Sequence, residues 1–180
     1  LFHNPRVSKN LSFSEKYDDF PWSDNLDHFI AWSKGETGVP IIDAAMRQLK
    51  STGWMHNRLR MIVAMYLTKN LLIDWRKGEK YFMQNLIDGD FASNNGGWQW
   101  SASTGVDAAP YFRIFNPITQ SEKFDKKGEF IKKWIPQLSS AKNIHDPSSD
   151  ERNDLGYSIH LVDLKESRKK AIEVFSNFSK

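Results

Sequence analysis

The side chains able to do chemistry fall into three short clusters. The first is Gly53-Trp54-Met55-His56-Asn57-Arg58-Leu59-Arg60-Met61. On a helix, Asn57 and Met61 stand one turn apart on a shared face, with Arg58 and Arg60 pointing elsewhere. An amide beside a soft thioether at the mouth of an apolar helix suits a flat heterocycle. A capped helix with two surface arginines fits the same residues. The second cluster, Ile87-Asp88-Gly89-Asp90-Phe91-Ala92-Ser93-Asn94-Asn95-Gly96-Gly97-Trp98-Gln99-Trp100, sets two acids around a glycine, then two Asn and a Trp-x-Trp pair. Carboxylates against an apolar wall can accept hydrogen bonds from imide and hydroxyl groups of a bound cofactor. The alternative is a helix–helix turn capped by Asp90 or Ser93. Gly96-Gly97 reads as a place where a backbone or ring approaches closely. The third runs from Asp107 through Pro110-Tyr111-Phe112-Arg113 to Gln120 and Lys123. Arginine, Gln and Lys among aromatics make a surface for single strands or a flipped base, or an aromatic loop packed on a core.

Other chemistries find little support. The chain has no cysteine, which removes disulfides, thiolate zinc sites and Cys nucleophiles. Its five histidines (His3, His28, His56, His145, His160) lack paired metal-ligand spacing, so no metal site is expected. No phosphate-binding glycine loop or nucleophile elbow occurs. Asn10-Leu11-Ser12 and Asn177-Phe178-Ser179 match the glycosylation pattern and, with no signal peptide expected from the N-terminal residues, are read as chance.

The 180 residues carry 25 Lys+Arg against 22 Asp+Glu, and 39% are hydrophobic, as in an ordinary folded domain. No run of roughly 18 apolar residues could span a membrane. Residues 57–80 hold six basic and two acidic side chains, and 123–133 five and two. Phosphate contact suits these counts, and so do solvated helix faces. Seven tryptophans point to a large core, a stacking surface, or both.

Helices must position the clusters. Asp24 is the expected cap of a helix over 25–34, buried through Leu26, Phe29, Ile30 and Trp32 and stopped by Gly35. Pro40 opens a second to Thr52, with Gly53 beyond its end and Ile41, Ile42, Ala45, Met46 and Leu49 as its stripe. A third, 56–73, is apolar nearly all round and therefore central. Others are expected over 79–87, 93–103, 117–124 and 129–135, the last ended by Pro136. Residues 139–158, rich in Ser, Asn, Asp and Pro, read as an irregular surface connection. Asp163 caps a final basic helix to Phe178 that docks through Ile172, Val174, Phe175 and Phe178. Alternating strand patterns are missing, and the fold class is all-α.

Taken together, Gly38–Leu49, Gly53–Met61, Ile87–Trp100 and Thr104–Asn116 resemble the C-terminal half of the photolyase/cryptochrome flavoprotein family, most closely its class I, bacterial-type cyclobutane pyrimidine dimer enzymes. The resemblance runs from about Trp22 to Trp134 and is looser over 139–180. It implies a helical FAD-binding domain and light-driven electron transfer from reduced FAD to a dimer flipped out of UV-damaged DNA. Asp88, Gly89, Asp90, Asn94, Arg60 and Asn57 resemble flavin contacts, with Asn94 beside the flavin N5 and Arg60 near Asp88. Asn57 and Met61 stand where dimer-specific enzymes keep Asn and Met and (6-4) enzymes keep His. Trp100 resembles the ring that stacks on the lesion. Together with Asn57, Arg58, Arg113, Gln120 and Lys123 resemble DNA contacts, and Trp98, Trp75 and Trp22 the photoreduction chain from flavin to surface.

The family's antenna domain and phosphate cradle find no match here. The 180 residues are therefore read as the C-terminal portion of the FAD domain, binding FAD weakly or not at all and repairing nothing when expressed alone. A folate or deazaflavin antenna chromophore is expected only on the missing domain, and the full-length protein is expected to be a cytoplasmic monomer. The rivals are a cryptochrome-like photoreceptor and a non-catalytic DNA-binding module. Plant-type receptors usually hold Asp at the place of Asn94 and Tyr at that of Trp100, which favours repair.

Overall fold

A computed structural model describes residues 4–178. His3 and Ser179 lie outside the described residues. Among these the α-helices are α1 Leu26–Lys34, α2 Pro40–Thr52, α3 Asn57–Met65, α4 Trp75–Asn85, α5 Phe91–Ala102, α6 Pro117–Phe124, α7 Glu129–Trp134, α8 Ser149–Asp154 and α9 Leu164–Phe178. Short 3-10 turns cover Pro5–Lys9, Glu15–Tyr17 and Pro136–Ser140. No strand occurs among the described residues, although an isolated parallel bridge pairs Ser23 with Ile73. The all-α expectation is met, and among the described residues no helix is long and apolar enough to cross a membrane.

Capping residues decide where helices begin. Asn25, rather than Asp24, accepts the His28 N–H and starts α1. Asp74 accepts from Arg76 and starts α4 four residues before the expected Glu79, because an Asx cap outweighs a weak apolar pattern. Asp90 likewise caps α5 by accepting from Ser93, so that helix begins at Phe91. Asp163 does cap α9, accepting from Lys165 and Glu166. Pro40 and Gly53 bound α2 as the sequence predicts, with Gly53 at φ 68°. Leu26 and Ile30, expected inside, are exposed; Trp32 and Phe29 alone carry the inner face of α1.

The long third helix is not continuous. After Met65 it widens into a π turn over Tyr66–Asn70 and ends at Leu71. The turn sends Lys69 into the interior, where its Nζ donates to Ala102 O at 3.2 Å and Ser103 Oγ at 2.8 Å. Lys69 thereby ties off the C-terminus of α5, and burial holds its ammonium well below its ordinary pKa.

Most helices pack on one apolar cluster whose centre is aromatic. Trp32 stacks beside Phe82 (15°), and Trp98 meets Phe82 edge-on at 5.0 Å and 83°. Trp32 Nε1 donates to Val63 O at 3.1 Å, so the buried indole is satisfied. A smaller cluster, with Tyr17, Phe20 and Phe175 at its heart and Trp22 packed on its edge, receives α9.

The stretch read as an irregular surface connection is partly neither. It contains α8, begun by a full capping box between Ser148 and Glu151. Its Arg152 is 4% exposed and donates to Pro147 O, Gly38 O, Ser158 O and Asp146 Oδ1. Tyr157 donates to Asp43 Oδ2 at 2.6 Å, while Thr37 and Gly38 N–H groups and the Thr37 hydroxyl also reach that carboxylate. Two buried polar centres, hidden from a composition-based reading, fasten residues 146–158 to the turn before α2.

Candidate functional site

The face of α3 that carries Asn57, Arg60, Met61 and Ala64 meets the face of α5 that carries Asn94, Gly97, Trp98 and Ser101. Their spacings of three and four residues put each set on one helix side. Between them lies a hollow of about 130 Å³, closed below by Phe82 and Leu86 and at the mouth by Asp88, Gly89 and Asp90. Arg60 therefore shares the face of Asn57 and Met61, contrary to the expectation that it points elsewhere; three residues on from Asn57 is nearly a full turn.

Arg60 is fixed at both ends. Its Nε donates to Met55 O at 2.7 Å, and its Nη2 reaches both Asp88 oxygens at 2.8 and 2.9 Å. Asp90 accepts from Ser93 at the α5 N-terminus, and that backbone hydrogen bond lowers its pKa. Asn94 donates through Nδ2 to Glu79 O at 3.0 Å, which sets the amide's orientation and leaves Oδ1 as an acceptor.

Two glycines divide the labour of close approach. A Cβ at Gly78 of α4 would lie 2.1 Å from Trp98 Cη2, so this glycine lets the indole lie against the α4 backbone. A Cβ at Gly97 would meet nothing within 4 Å. The tight contact expected at Gly96-Gly97 belongs to Gly78, and Gly97 instead keeps the hollow's wall bare.

The remaining candidates divide among other places. Trp75 is fully buried in the main cluster, and Trp22 packs against both clusters. Arg58 and Gln120 line a groove of about 280 Å³ with Phe124, and the Arg58 guanidinium sits 4.9 Å from the Phe124 ring centre. Lys123 Nζ lies 5.4 Å from the same ring. Arg113 is exposed on the turn before α6, and Trp100 is half-buried and lines neither the hollow nor this groove.

Sequence reasoning missed Phe82, Leu86 and Ala64 in the lining, and Glu79 behind it. Ala64 continues the 57–60–61 stripe, so its spacing was readable. Glu79 is 6% exposed with Oε1 unpartnered among the described residues, and burial raises its pKa. Only the pairing of α4 with α5 reveals it. No group of three or more His, Asp or Glu able to hold a metal occurs among the described residues.

A flat ring system fits this hollow: apolar surface from Met61, Ala64 and Phe82, a bare Gly97 wall, and amide, guanidinium and carboxylate groups at the edge. Its volume is well below the ~300–1,000 Å³ that encloses a drug-sized ligand, so the hollow embraces only part of such a ring system.

The model of the FAD binding domain of DNA photolyase matches residues 1–177. The chain is 54% identical over 180 residues to a deoxyribodipyrimidine photo-lyase of Escherichia coli, covering 97% of this chain and 38% of that protein. It is 63% identical over 145 residues to the photo-lyase of Salmonella typhimurium, covering 79% of this chain and 31% of that protein. Among solved structures, a class III photolyase from Agrobacterium tumefaciens superposes with a TM-score of 0.92 at 44% identity, over 99% of this chain and 39% of that one. The chain spans less than two fifths of the length of each of these relatives.

Proposed function

Because the chain belongs to the FAD-binding domain family of DNA photolyase, we propose that it forms one wall of the flavin site of a light-driven repair enzyme acting on cyclobutane pyrimidine dimers in DNA. The observation that carries this reading is the single hollow shared by Asn57, Arg60, Met61, Asp88, Asn94 and Trp98. Reduced FAD, when bound, supplies the photoexcited electron that opens the dimer, which is why no nucleophile or acid–base pair is needed from the protein.

The side chains here orient and hold. Arg60 Nη2 donates to both Asp88 oxygens, and its Nε is held by Met55 O, so the guanidinium at the edge of the site is oriented before anything binds. Asn94 is turned by Glu79 O so that its carbonyl oxygen remains free for a ring N–H. Asp90, held ionised by the α5 N-terminus, offers acceptor capacity at the mouth. Asn57 and Met61 face the same space and are suited to the dimer rather than to a histidine-requiring lesion. Trp98 at the wall, Trp75 in the main cluster and Trp22 at the edge of both clusters serve as the electron relay toward the surface. Arg58, Gln120 and Lys123 around Phe124, with Asn57 and the exposed Arg113 before α6, contact the damaged strand, and Trp100 stacks on the lesion. The other walls and any folate or deazaflavin antenna belong to polypeptide outside these 180 residues.

Two measurements test the reading. A fluorescence titration of the chain alone is expected to show weak FAD uptake; tight stoichiometric uptake contradicts the one-wall assignment. Extended with the remaining helices, reduced and lit with blue light, the protein is expected to remove dimers from an irradiated oligonucleotide. Salt-dependent binding without preference for irradiated over undamaged strands, and without repair, would assign a simple DNA-binding module.

A further inference from the structure

Where the chain after α8 closes over the turn before α2, one ring nitrogen faces two incompatible partners. His160 Nε2 lies 2.9 Å from Arg152 Nη2 and 3.2 Å from Asp146 Oδ1. A guanidinium only donates, so the first contact needs a lone pair on Nε2. An ionised carboxylate only accepts, so the second needs a proton there. Arg152 Nη2 also donates to Asp146 Oδ1 at 2.8 Å, and its two hydrogens can serve both acceptors at once. The fully bonded arrangement is therefore a neutral ring with its proton on Nδ1.

This cluster ties the segment to α2. Arg152 also donates to Gly38 O, and the Leu161 N–H donates to Thr37 O at 3.0 Å. A Cβ at Gly38 would stand 2.7 Å from His160 N, so the chain lies directly on that turn. The charges facing the ring are Arg152 of α8, Asp146 in the turn before it and Asp163 at the cap of α9. The turn before α2 presents the backbone of Gly38, with the Asp43 carboxylate behind it. Burial and Arg152 outweigh the two facing carboxylates and hold His160 below the ordinary histidine range. Its side chain is nevertheless 25% exposed, open to protons from solvent.

We propose that residues 146–160 form an acid-released strap whose latch is His160 Nε2. When that nitrogen gains a proton it turns from Arg152 to Asp146. Arg152 then loses one acceptor and stands beside a like charge. A guanidinium keeps its own proton, so the cost falls on the fastening of the strap to the α2 turn. None of these residues takes part in the proposed flavin chemistry, so the two assignments stand or fall separately.

The test is hydrogen exchange on the 180-residue chain, followed by NMR from neutral to mildly acid pH and corrected for intrinsic exchange. The Leu161 amide reports the strap, and the ring nitrogens of His160 report the latch. At neutral pH, Nε2 should be the nitrogen without a proton. The closed strap favours the neutral ring, so protection of Leu161 should be complete above the ordinary histidine pKa of about 6.5. It should fall below that pH and level off beneath the lowered pKa, by about tenfold for each unit between the two. His160→Gln, whose amide offers a donor and an acceptor that do not titrate, should keep the neutral-pH melting temperature and hold protection flat. Asp146→Asn takes away the charged ring's partner and should move the levelling-off to lower pH. A proton on Nε2 at neutral pH, or protection that does not change across the window, would overturn the proposal. So would an equal fall in His160→Gln, which would assign the effect to Asp43, or a levelling-off that rises in Asp146→Asn.

Discussion

Arg152 and Arg60 are each held by a carboxylate and a backbone carbonyl, yet they sit in opposite kinds of place. Arg152 is buried and spends its donors on three backbone carbonyls and Asp146. Beside it Asp43, also buried, receives four hydrogen bonds. That region is saturated, and it fastens chain to chain. Arg60 and Asp88 are partly open, their side chains 26% and 47% exposed, and they border a hollow. The lesson is that residue type does not separate a staple from a site; unspent hydrogen-bonding capacity beside empty space does.

Substitutions can break this contrast. The largest effect is expected from Asp43→Ala, which strands two N–H groups and two hydroxyls in the interior. A loss of at least ~3 kcal/mol in urea unfolding is expected, with α2 and residues 146–158 affected together. A loss under ~1 kcal/mol would mean the buried centre is not a staple. Gly78→Ala comes next. Its methyl would stand 2.1 Å from Trp98 Cη2, and overpacking of about 1–3 kcal/mol should appear in the same measurement.

On the open side the order reverses. Arg60→Ala should change stability by less than ~1 kcal/mol, because the pair is solvent-screened. In the protein extended with the remaining helices, FAD affinity measured by equilibrium dialysis should nevertheless fall by roughly tenfold or more. Gly97→Ala should stabilise α5 by up to about 1 kcal/mol while weakening FAD, since the added methyl enters the hollow. A Gly97→Ala protein that loses stability and keeps its FAD affinity would erase the distinction between the two glycines.

The smallest effect concerns Glu79, where burial raises the pKa above 4.5. The folded state then holds this proton more tightly than the unfolded chain. The resulting penalty is absent below the ordinary glutamate pKa, grows as pH rises through the raised value, and stays constant above it. Glu79→Gln should therefore gain stability relative to the parent between acid and neutral pH. A gap that narrows as pH rises would contradict the direction of the shift.

Much of this was legible in the amino-acid order, for identifiable reasons. Pro40, Gly53 and the stripe between them announce α2 because backbone preference and burial agree there. The polar edge of the hollow was legible by type, since Asn57, Arg60, Asp88 and Asn94 fall in two compact segments. Gly78 and Glu79 were not, because their meaning arises only where α4 lies against α5. Arg152 was hidden by its surroundings: Ser, Asp, Asn and Pro look like solvent-facing chain until a buried guanidinium gathers their carbonyls. The break after Met65 was equally invisible, since apolar residues continue through it.

That break has a consequence for how this molecule can change length. The π turn over Tyr66–Asn70 accommodates one residue more than a regular turn would. A surplus residue taken up as a π turn leaves the flanking segments in register, and removing it would close the turn to a regular one. The cost would fall inside the turn, which carries Lys69 to the end of α5 and Asn70 to Ser167. The segment can therefore shed its extra residue only if those two anchors are re-cut to match.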